Sequence, residues 1–143
     1  MGILSWLFGR STEASVSSSG DLFWNGDGDY EFEVVGESYY QDALSAICGG
    51  HCEEGHEVEC VAMLVPEPSN QYDRNAVAVH INGRKVAHLS REDAVEYHHA
   101  LRQLSVRSPI KCDAIIVGGW DRGSRGKGSF GVKLDLAIPL SLR

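Results

Sequence analysis

The pair Asn82-Gly83 constrains the fold of this chain most strongly, because it stands between two runs of residues that favour β-strands. Both central positions of a tight two-residue hairpin turn need positive φ, and asparagine and glycine adopt it at little cost. Residues 75–81 precede the pair, with valine and isoleucine at alternate positions, and residues 85–89 follow it. The sequence therefore predicts an antiparallel hairpin near the middle of the chain.

Similar patterns predict the remaining elements. Further strands are expected at 30–35, 57–65, 110–117 and 129–138. One short helix is expected around residues 43–48, ending at Gly49-Gly50, and a second begins after Ser90, whose side chain can cap it. The expected inner face of the second helix is Ala94, Val95, His98, Leu101 and Leu104 or Ser105. About six short strands and two short helices indicate a mainly β fold, a small closed antiparallel β-barrel of OB or SH3-like type.

The chain has 143 residues, which suits a single domain with one core. We assign residues 1–29 to an N-terminal tail and flexible linker, with a small, polar stretch at 11–20, and residues 30–143 to the domain. The apolar start is too short for a signal-peptide core or a membrane span, so we expect a cytoplasmic protein. We expect that segment to dock on its own domain or fray; the alternative is weak membrane or partner contact through Ile3, Leu4, Trp6, Leu7 and Phe8.

Charge is distributed unevenly along the chain. The net charge is −7, yet residues 11–73 contain 14 Asp or Glu and no Lys or Arg, whereas residues 74–143 contain 12 Lys or Arg and 6 Asp or Glu. Such asymmetry can mark an electrostatic binding surface that the summed charge conceals. It is equally compatible with two faces of one barrel that neutralise each other, so charge alone does not decide.

Three segments together carry a resemblance to a known family. They are Val-Val-Gly-Glu-Ser-Tyr-Tyr at 34–40, Glu-Pro-Ser-Asn-Gln-Tyr-Asp-Arg-Asn-Ala-Val-Ala-Val at 67–79, and the stretch 83–94 with Val-Ala-His-Leu-Ser-Arg at 86–91. In this order and spacing, residues 30–140 resemble a HIRAN domain, here of the stand-alone, bacterial type. The resemblance implies a six-stranded OB-like barrel that binds rather than catalyses.

In eukaryotic remodelling helicases, the HIRAN domain captures the free 3′-hydroxyl end of single-stranded DNA. Matched position by position, the resemblance implies that Tyr39 and Tyr72 sandwich the terminal base and that Asp73 accepts a hydrogen bond from the 3′-hydroxyl. The other implied contacts are Asn70 to the base or sugar, and His88 and Arg91 to the terminal phosphates. The implied partners are single-stranded DNA 3′ ends and a DNA-processing protein acting in trans.

The residue chemistry suits that ligand. Stacking of a base on an aromatic side chain contributes about 1–3 kcal/mol and tolerates any sequence. A carboxylate such as that of Asp73 can accept from a hydroxyl but repels a phosphate. Three positions depart from the pattern of the DNA-binding relatives: Gln71 replaces proline, Ala87 replaces glycine, and Ser38 replaces an arginine that grips phosphate.

Other interpretations of the same residues stay open. The segment 68–76 can be a structural turn in which Asn70 and Asp73 bond local backbone. In an extended chain one of Tyr39 and Tyr40 faces inward, and Tyr40 is then the core residue. His88 can be a histidine satisfied within the barrel. The alternative function is a protein-interaction or scaffold module that kept the barrel and lost DNA binding.

Two further groups of residues are candidates for binding. The loop 118–128 carries Trp120, Arg122, Arg125 and Lys127, which suit a secondary contact to a nucleic-acid backbone, although a solvated hairpin tip is equally compatible. Zinc could be held by Cys48, His51, Cys52, His56 and Cys60, but their spacing matches no paired zinc knuckle, so we predict no cofactor. No nucleophile–base pair stands out, and we predict no enzymatic activity.

Overall fold

The computed structural model describes residues 22–143. Six strands form: β1 Phe32–Glu33, β2 His56–Pro66, β3 Val77–Ile81, β4 Arg84–His88, β5 Ile110–Gly118 and β6 Phe130–Asp135. The two α-helices are α1 Gln41–Cys48 and α2 Arg91–Leu104, and short 3₁₀ helices span Glu37–Tyr40 and Gly123–Arg125. The predicted mainly β class with two helices is confirmed.

The six strands form one antiparallel sheet in the order β1-β6-β5-β2-β3-β4, which curls into an open half-barrel. Its edges are β1 and β4, and beyond β1 a single bridge connects Val35 to His88 at the end of β4. Buried side chains from β2 to β6 and from both helices form the core. The finer prediction of a fully closed barrel stays a prediction.

The hairpin that the sequence predicts at Asn82-Gly83 is confirmed, with φ of 51° and 75° at the two turn residues. The strands of this hairpin contain one irregularity. Val79 pairs with Ala87 but His80 pairs with Lys85, so Val86 is an extra residue on β4. A bulge of this kind interrupts the alternation of faces.

The helix boundaries follow the predicted caps. Gly49 ends α1 with φ of 79°, and its N–H donates to the Ser45 carbonyl. Ser90 caps α2 because its Oγ accepts from the Asp93 N–H at 3.1 Å.

The predicted inner face of α2 needs correction. Its buried residues are Ala94, Tyr97, Ala100 and Leu101, whereas Val95 is 38% exposed. Tyr97 turns inward because its hydroxyl finds two partners there, the Trp24 indole N–H at 3.2 Å and Ser108 Oγ at 3.1 Å. A buried tyrosine needs such partners, and its ring contributes more buried apolar area than the valine would.

The packed domain also begins earlier than residue 30. Trp24 is fully buried. Its backbone N–H donates to the Lys111 carbonyl at 2.8 Å, and its backbone forms a β-bridge with Leu142. The assignment of residues 22–29 to a flexible tail is therefore corrected, because their tryptophan fills the core. Residues 1–21 lie outside the described part, together with the predicted linker at 11–20 and the predictions for the apolar start.

Within residues 22–143, no helix combines the length and the apolar character that a membrane crossing requires.

Candidate functional site

One solvent-open depression of about 910 Å³, here called the groove, gathers the residues that the sequence singled out. It lies where the 3₁₀ helix Glu37–Tyr40, the turn after β2 and the end of β4 meet. All six primary candidates line it: Tyr39, Asn70, Tyr72, Asp73, His88 and Arg91. The remaining lining residues are Val35, Gly36, Tyr40, Ala76, Lys85 and Leu89.

The 3₁₀ helix brings Tyr39 to the groove. Gly36 precedes it with φ of 83°, a value that glycine adopts without strain, and the Tyr39 N–H donates to the Gly36 carbonyl. Tyr39 is 85% exposed, whereas Tyr40 is half-buried with its ring centroid 6.1 Å from that of His88. The expected extended chain is thus replaced by a helical turn, and both tyrosines reach the groove.

The turn after β2 presents Tyr72. Asn70 Oδ1 accepts from the backbone N–H groups of Tyr72 at 2.9 Å and Asp73 at 3.1 Å. Asp73 Oδ1 accepts in the same way from the Asn75 N–H at 2.9 Å. The local-turn interpretation is therefore correct for Asn70 and Asp73, but Tyr72 does not pack on the sheet, since 79% of it is exposed.

The Asp73 carboxylate keeps accepting capacity. It is half-buried, and its Oδ1 is engaged by the Asn75 N–H. Among residues 22–143, no hydrogen bond reaches Oδ2. An ionised carboxylate has about four lone-pair sites, so Asp73 can accept from a ligand hydroxyl without releasing the turn.

Arg91 supplies an available cation in the lining of the groove. It is the first residue of α2, directly after the Ser90 cap, and it is exposed. In the described part of the chain it forms no ion pair. The N-terminus of a helix of this length also favours an anion through its free N–H groups and its dipole.

Glu67 connects the turn to β4 through three hydrogen bonds. Its carboxylate accepts from Lys85 Nζ, from His88 Nε2 at 2.8 Å and from Asn70 Nδ2 at 3.2 Å. Burial raises the pKa of Glu67, but the hydrogen bonds from Lys85, His88 and Asn70 outweigh it and lower that pKa to about 2. Because an ionised carboxylate only accepts, His88 donates from Nε2.

Lys85 lines the groove and Glu67 contacts it, although neither residue was predicted from the sequence. In a regular strand, Lys85 and His88 would point to opposite faces. The extra residue Val86 shifts the pattern, so that Val86 and Ala87 are both buried in the core and Lys85 and His88 both lie on the outer face. Nothing in the residue pattern marks a bulge at Val86.

The three positions that depart from the HIRAN pattern lie in different environments in the structure. Ala87 is fully buried in the core, so its methyl group does not line the groove. Gln71 is exposed, and the side-chain hydrogen bonds of Asn70 hold the turn there. Ser38 is exposed beside Tyr39 but does not line the groove. None of the three departing side chains therefore lines the groove.

The structure does not bring the loop 118–128 to the groove. Trp120 is half-buried and lies against the Gly128 backbone, where an added Cβ would approach its indole nitrogen to 2.1 Å. The Arg122 guanidinium lies 4.6 Å from the centroid of the Trp120 ring, and Lys127 is 4.0 Å from Asp121. Arg125 is exposed. Trp120 thus organises its own loop.

The cysteine and histidine residues of segment 48–60 do not form a metal centre. Cys52 Sγ lies 3.7 Å from His56 Nε2, which also bonds to the Gly50 carbonyl at 2.8 Å. Burial raises the pKa of Cys60 to about 11 and also raises that of Cys48. In the chain from residue 22 onward, no three His, Cys, Asp or Glu side chains are placed to hold a metal ion. The zinc alternative has no support there.

The fold and the groove define a mainly β protein whose open half-barrel carries an exposed aromatic groove of mixed charge. No family model, curated protein or solved structure matches the chain. The function is therefore inferred from the geometry of the groove and from the residues that line it.

Proposed function

We propose that this chain is a non-enzymatic nucleic-acid-binding module of the HIRAN type, which captures the 3′-hydroxyl end of single-stranded DNA in the groove. One observation carries the proposal. Six residues that the resemblance assigns to such a site, spread along the sequence from Tyr39 to Arg91, line one solvent-open groove of about 910 Å³. Neither local turn chemistry nor core packing requires that convergence.

Tyr39 and Tyr72 provide the surfaces for the terminal base. Large aromatic side chains that are 85% and 79% exposed leave apolar area in contact with water. Both rings line the groove, and they form no ring contact with each other within the described chain. Each base–aromatic stack is worth about 1–3 kcal/mol and requires no particular base.

Asp73 provides the preference for a hydroxyl end. Its carboxylate accepts a hydrogen bond from the 3′-hydroxyl, and a hydrogen bond to a charged acceptor contributes about 1.5–3 kcal/mol. A 3′-phosphate in the same place brings about −1.5 to −2 charges against that carboxylate at neutral pH. Selectivity thus arises from one attraction and one repulsion on the same side chain.

Arg91 provides the contact to the phosphate that precedes the terminal nucleotide. It is exposed at the start of α2, where the helix N-terminus also favours an anion. A protein of net charge −7 does not attract a phosphate chain along its whole surface. Recognition of one end needs only one phosphate contact, so it is compatible with the negative net charge of the protein.

The closed OB-like barrel belongs to the same proposal. The bridge between Val35 and His88, with two hydrogen bonds of 2.8 Å, supports it because it joins the two edges of the sheet at one point. A cytoplasmic DNA-processing protein acting in trans is the partner that such a module would serve.

The experiment uses two single-stranded oligonucleotides of one sequence, both labelled at the 5′ end, one ending in a 3′-hydroxyl and the other in a 3′-phosphate. Fluorescence anisotropy at low salt should show binding of the hydroxyl end and about tenfold or more weaker binding of the phosphate end. Equal affinity for the two ends, or no binding of either, would reject the proposal.

A second candidate is a protein-interaction module, favoured by an exposed acidic surface away from the groove. It comprises Glu53, Glu54, Glu57 and Glu59, with Val61 beside it at 43% exposure. A pull-down from lysate treated with nuclease distinguishes this candidate from DNA binding. A protein that is captured by the wild type and by a Tyr72→Ala variant, but lost on reversing these four charges, would favour this candidate.

A further inference from the structure

We infer that Glu67 determines the end specificity of the groove, because it pairs with Lys85 and so withholds a second cation from phosphate. This inference rests on the proposed function and deepens it. Asp73 then acts together with Glu67: the first repels a terminal phosphate, and the second removes the lysine that would attract it.

The geometry places Lys85 in the lining of the groove and Glu67 in contact with Lys85. Glu67 Oε2 contacts Lys85 Nζ, and Oε1 lies 2.8 Å from His88 Nε2, so one carboxylate engages both basic side chains of β4 that line the groove. Only 19% of the Glu67 side chain and 34% of the Lys85 side chain are exposed. Lys85 also lines a second depression of about 520 Å³, on the side of the turn where Glu67 lies.

The bulge on β4 makes this pairing possible. Without the bulge at Val86, Lys85 and His88 are three residues apart in a regular strand and would point to opposite faces. With it, both side chains lie on the outer face within reach of Glu67. A lysine is thereby placed at the edge of an anion-binding groove together with the carboxylate that neutralises it.

The balance of charge in the groove follows from this pairing. Arg91 is an available cation, Asp73 is a carboxylate, and Lys85 and Glu67 cancel each other. A phosphate inside the strand carries about one negative charge, whereas a terminal phosphate carries about −1.5 to −2 at neutral pH. An unpaired Lys85 would therefore favour the phosphate end over the hydroxyl end.

The pairing is constant over the physiological range. Burial raises the pKa of Glu67, and the hydrogen bonds from Lys85, His88 and Asn70 lower it by more, to about 2. Glu67 is therefore ionised at every pH at which the module would bind DNA. Specificity arises from a fixed ion pair, without a proton switch.

The test uses the full chain with Glu67→Gln, which keeps the shape of the side chain and removes its charge. Affinity for the 3′-phosphate oligonucleotide should rise about tenfold, because Lys85 becomes free to form a charge-assisted hydrogen bond. The salt slope for that ligand should steepen by about 0.7, the value for one further phosphate contact on a single strand. Affinity for the 3′-hydroxyl oligonucleotide should change by less than about threefold, since its phosphate already has Arg91.

Two further variants complete a double-mutant cycle between Glu67 and Lys85. Lys85→Gln alone leaves the Glu67 carboxylate without its lysine partner, so it should weaken binding of the phosphate end more than binding of the hydroxyl end. Glu67→Gln with Lys85→Gln should restore the wild-type preference. Glu57→Gln is the matched control, since Glu57 is an exposed glutamate on β2, the strand that precedes Glu67, and it does not line the groove.

The outcomes separate the inference from the proposed function. If Glu67→Gln weakens binding of both oligonucleotide ends equally, Glu67 only supports the turn, and the inference is overturned. A loss of about tenfold or more on the hydroxyl end in the double variant Glu67→Gln with Lys85→Gln, which leaves no unpaired carboxylate, would also overturn it, because Lys85 would then bind phosphate directly. If the wild type binds no hydroxyl end while Glu67→Gln gains phosphate binding, the charge pairing stands and end capture fails.

Discussion

Val35 and His88 exchange two backbone hydrogen bonds, each of 2.8 Å. They join the segment that follows β1 to the last residue of β4, the two edges of the sheet. The bridge brings the 3₁₀ helix that carries Tyr39 alongside His88, and Tyr40 then packs on the histidine ring. The aromatic side of the groove is therefore fixed to its polar side by main-chain contacts.

Removal of either exposed tyrosine should weaken DNA binding without affecting folding. Tyr39→Ala and Tyr72→Ala should each lose about 1–3 kcal/mol of binding free energy, the contribution of one base–aromatic stack. Because the two side chains are 85% and 79% exposed, the unfolding free energy should change by less than about 0.5 kcal/mol. Anisotropy titrations and urea denaturation measure the two quantities. Tyr72→Phe should bind like the wild type, and a loss as large as that of Tyr72→Ala would contradict stacking.

Asp73→Asn should reduce the preference for a hydroxyl end while the turn stays intact. The amide oxygen of asparagine can still accept from the Asn75 N–H, so the local structure keeps its hydrogen bond. Loss of the charge removes the repulsion of a 3′-phosphate, and the ratio of affinities for the two ends should fall about tenfold. Titration of both oligonucleotides gives the ratio. An unchanged ratio would show that Asp73 does not face the terminal hydroxyl.

Glu67 should make the stability of the fold depend on acid pH. Burial raises its pKa, but its hydrogen bonds, led by that from Lys85, lower it from the ordinary 4.5 to about 2. A carboxylate whose pKa is lowered by folding stabilises the native state above its unfolded value, and this stabilisation is lost as the pH falls through the folded value. The unfolding free energy of the wild type relative to Glu67→Gln should thus be constant at neutral pH and decline between pH 4.5 and about 2.

Urea denaturation of both proteins across that range is the measurement, and Glu57→Gln serves as the control for general acid effects. A difference between the wild type and Glu67→Gln that stays constant down to pH 2 would mean that Glu67 is not held by its three donors.

Trp24 should prove essential for stability although it precedes the strands that the sequence indicates. Trp24→Ala should cost about 3–5 kcal/mol of unfolding free energy, because a fully buried indole is removed and the Tyr97 hydroxyl loses a partner. Denaturant titration measures the loss, and Trp120→Ala, at a half-buried loop position, should cost less. A loss below about 1 kcal/mol for Trp24→Ala would place residues 22–29 outside the stable domain.

Local features of the fold were predictable from the sequence. The Asn82-Gly83 turn, the Ser90 cap and the glycine that ends α1 depend on backbone preferences of single residues, and each is found where the pattern places it. Features that depend on contacts between residues distant in the sequence were not predictable. The burial of Trp24 requires Tyr97 and Leu142, and the inward rotation of Tyr97 requires Ser108, contacts that no local periodicity reveals.

The candidate site shows the same division. The resemblance supplied Tyr39, Tyr72, Asp73 and Arg91, whose side chains extend from turns and a helix start. Glu67 and Lys85 were missed because their pairing depends on the bulge at Val86, and a one-residue shift reverses which side chains share a face.

The most direct test of end capture compares a linear single strand with a covalently closed circle of the same sequence. The circle offers the same bases and phosphates but no terminus, so any contact along the backbone remains available to it. Competition against a labelled 3′-hydroxyl oligonucleotide should show displacement by the linear strand and at least about tenfold weaker displacement by the circle. A circle that competes as well as the linear strand would contradict binding of the 3′ end in the groove.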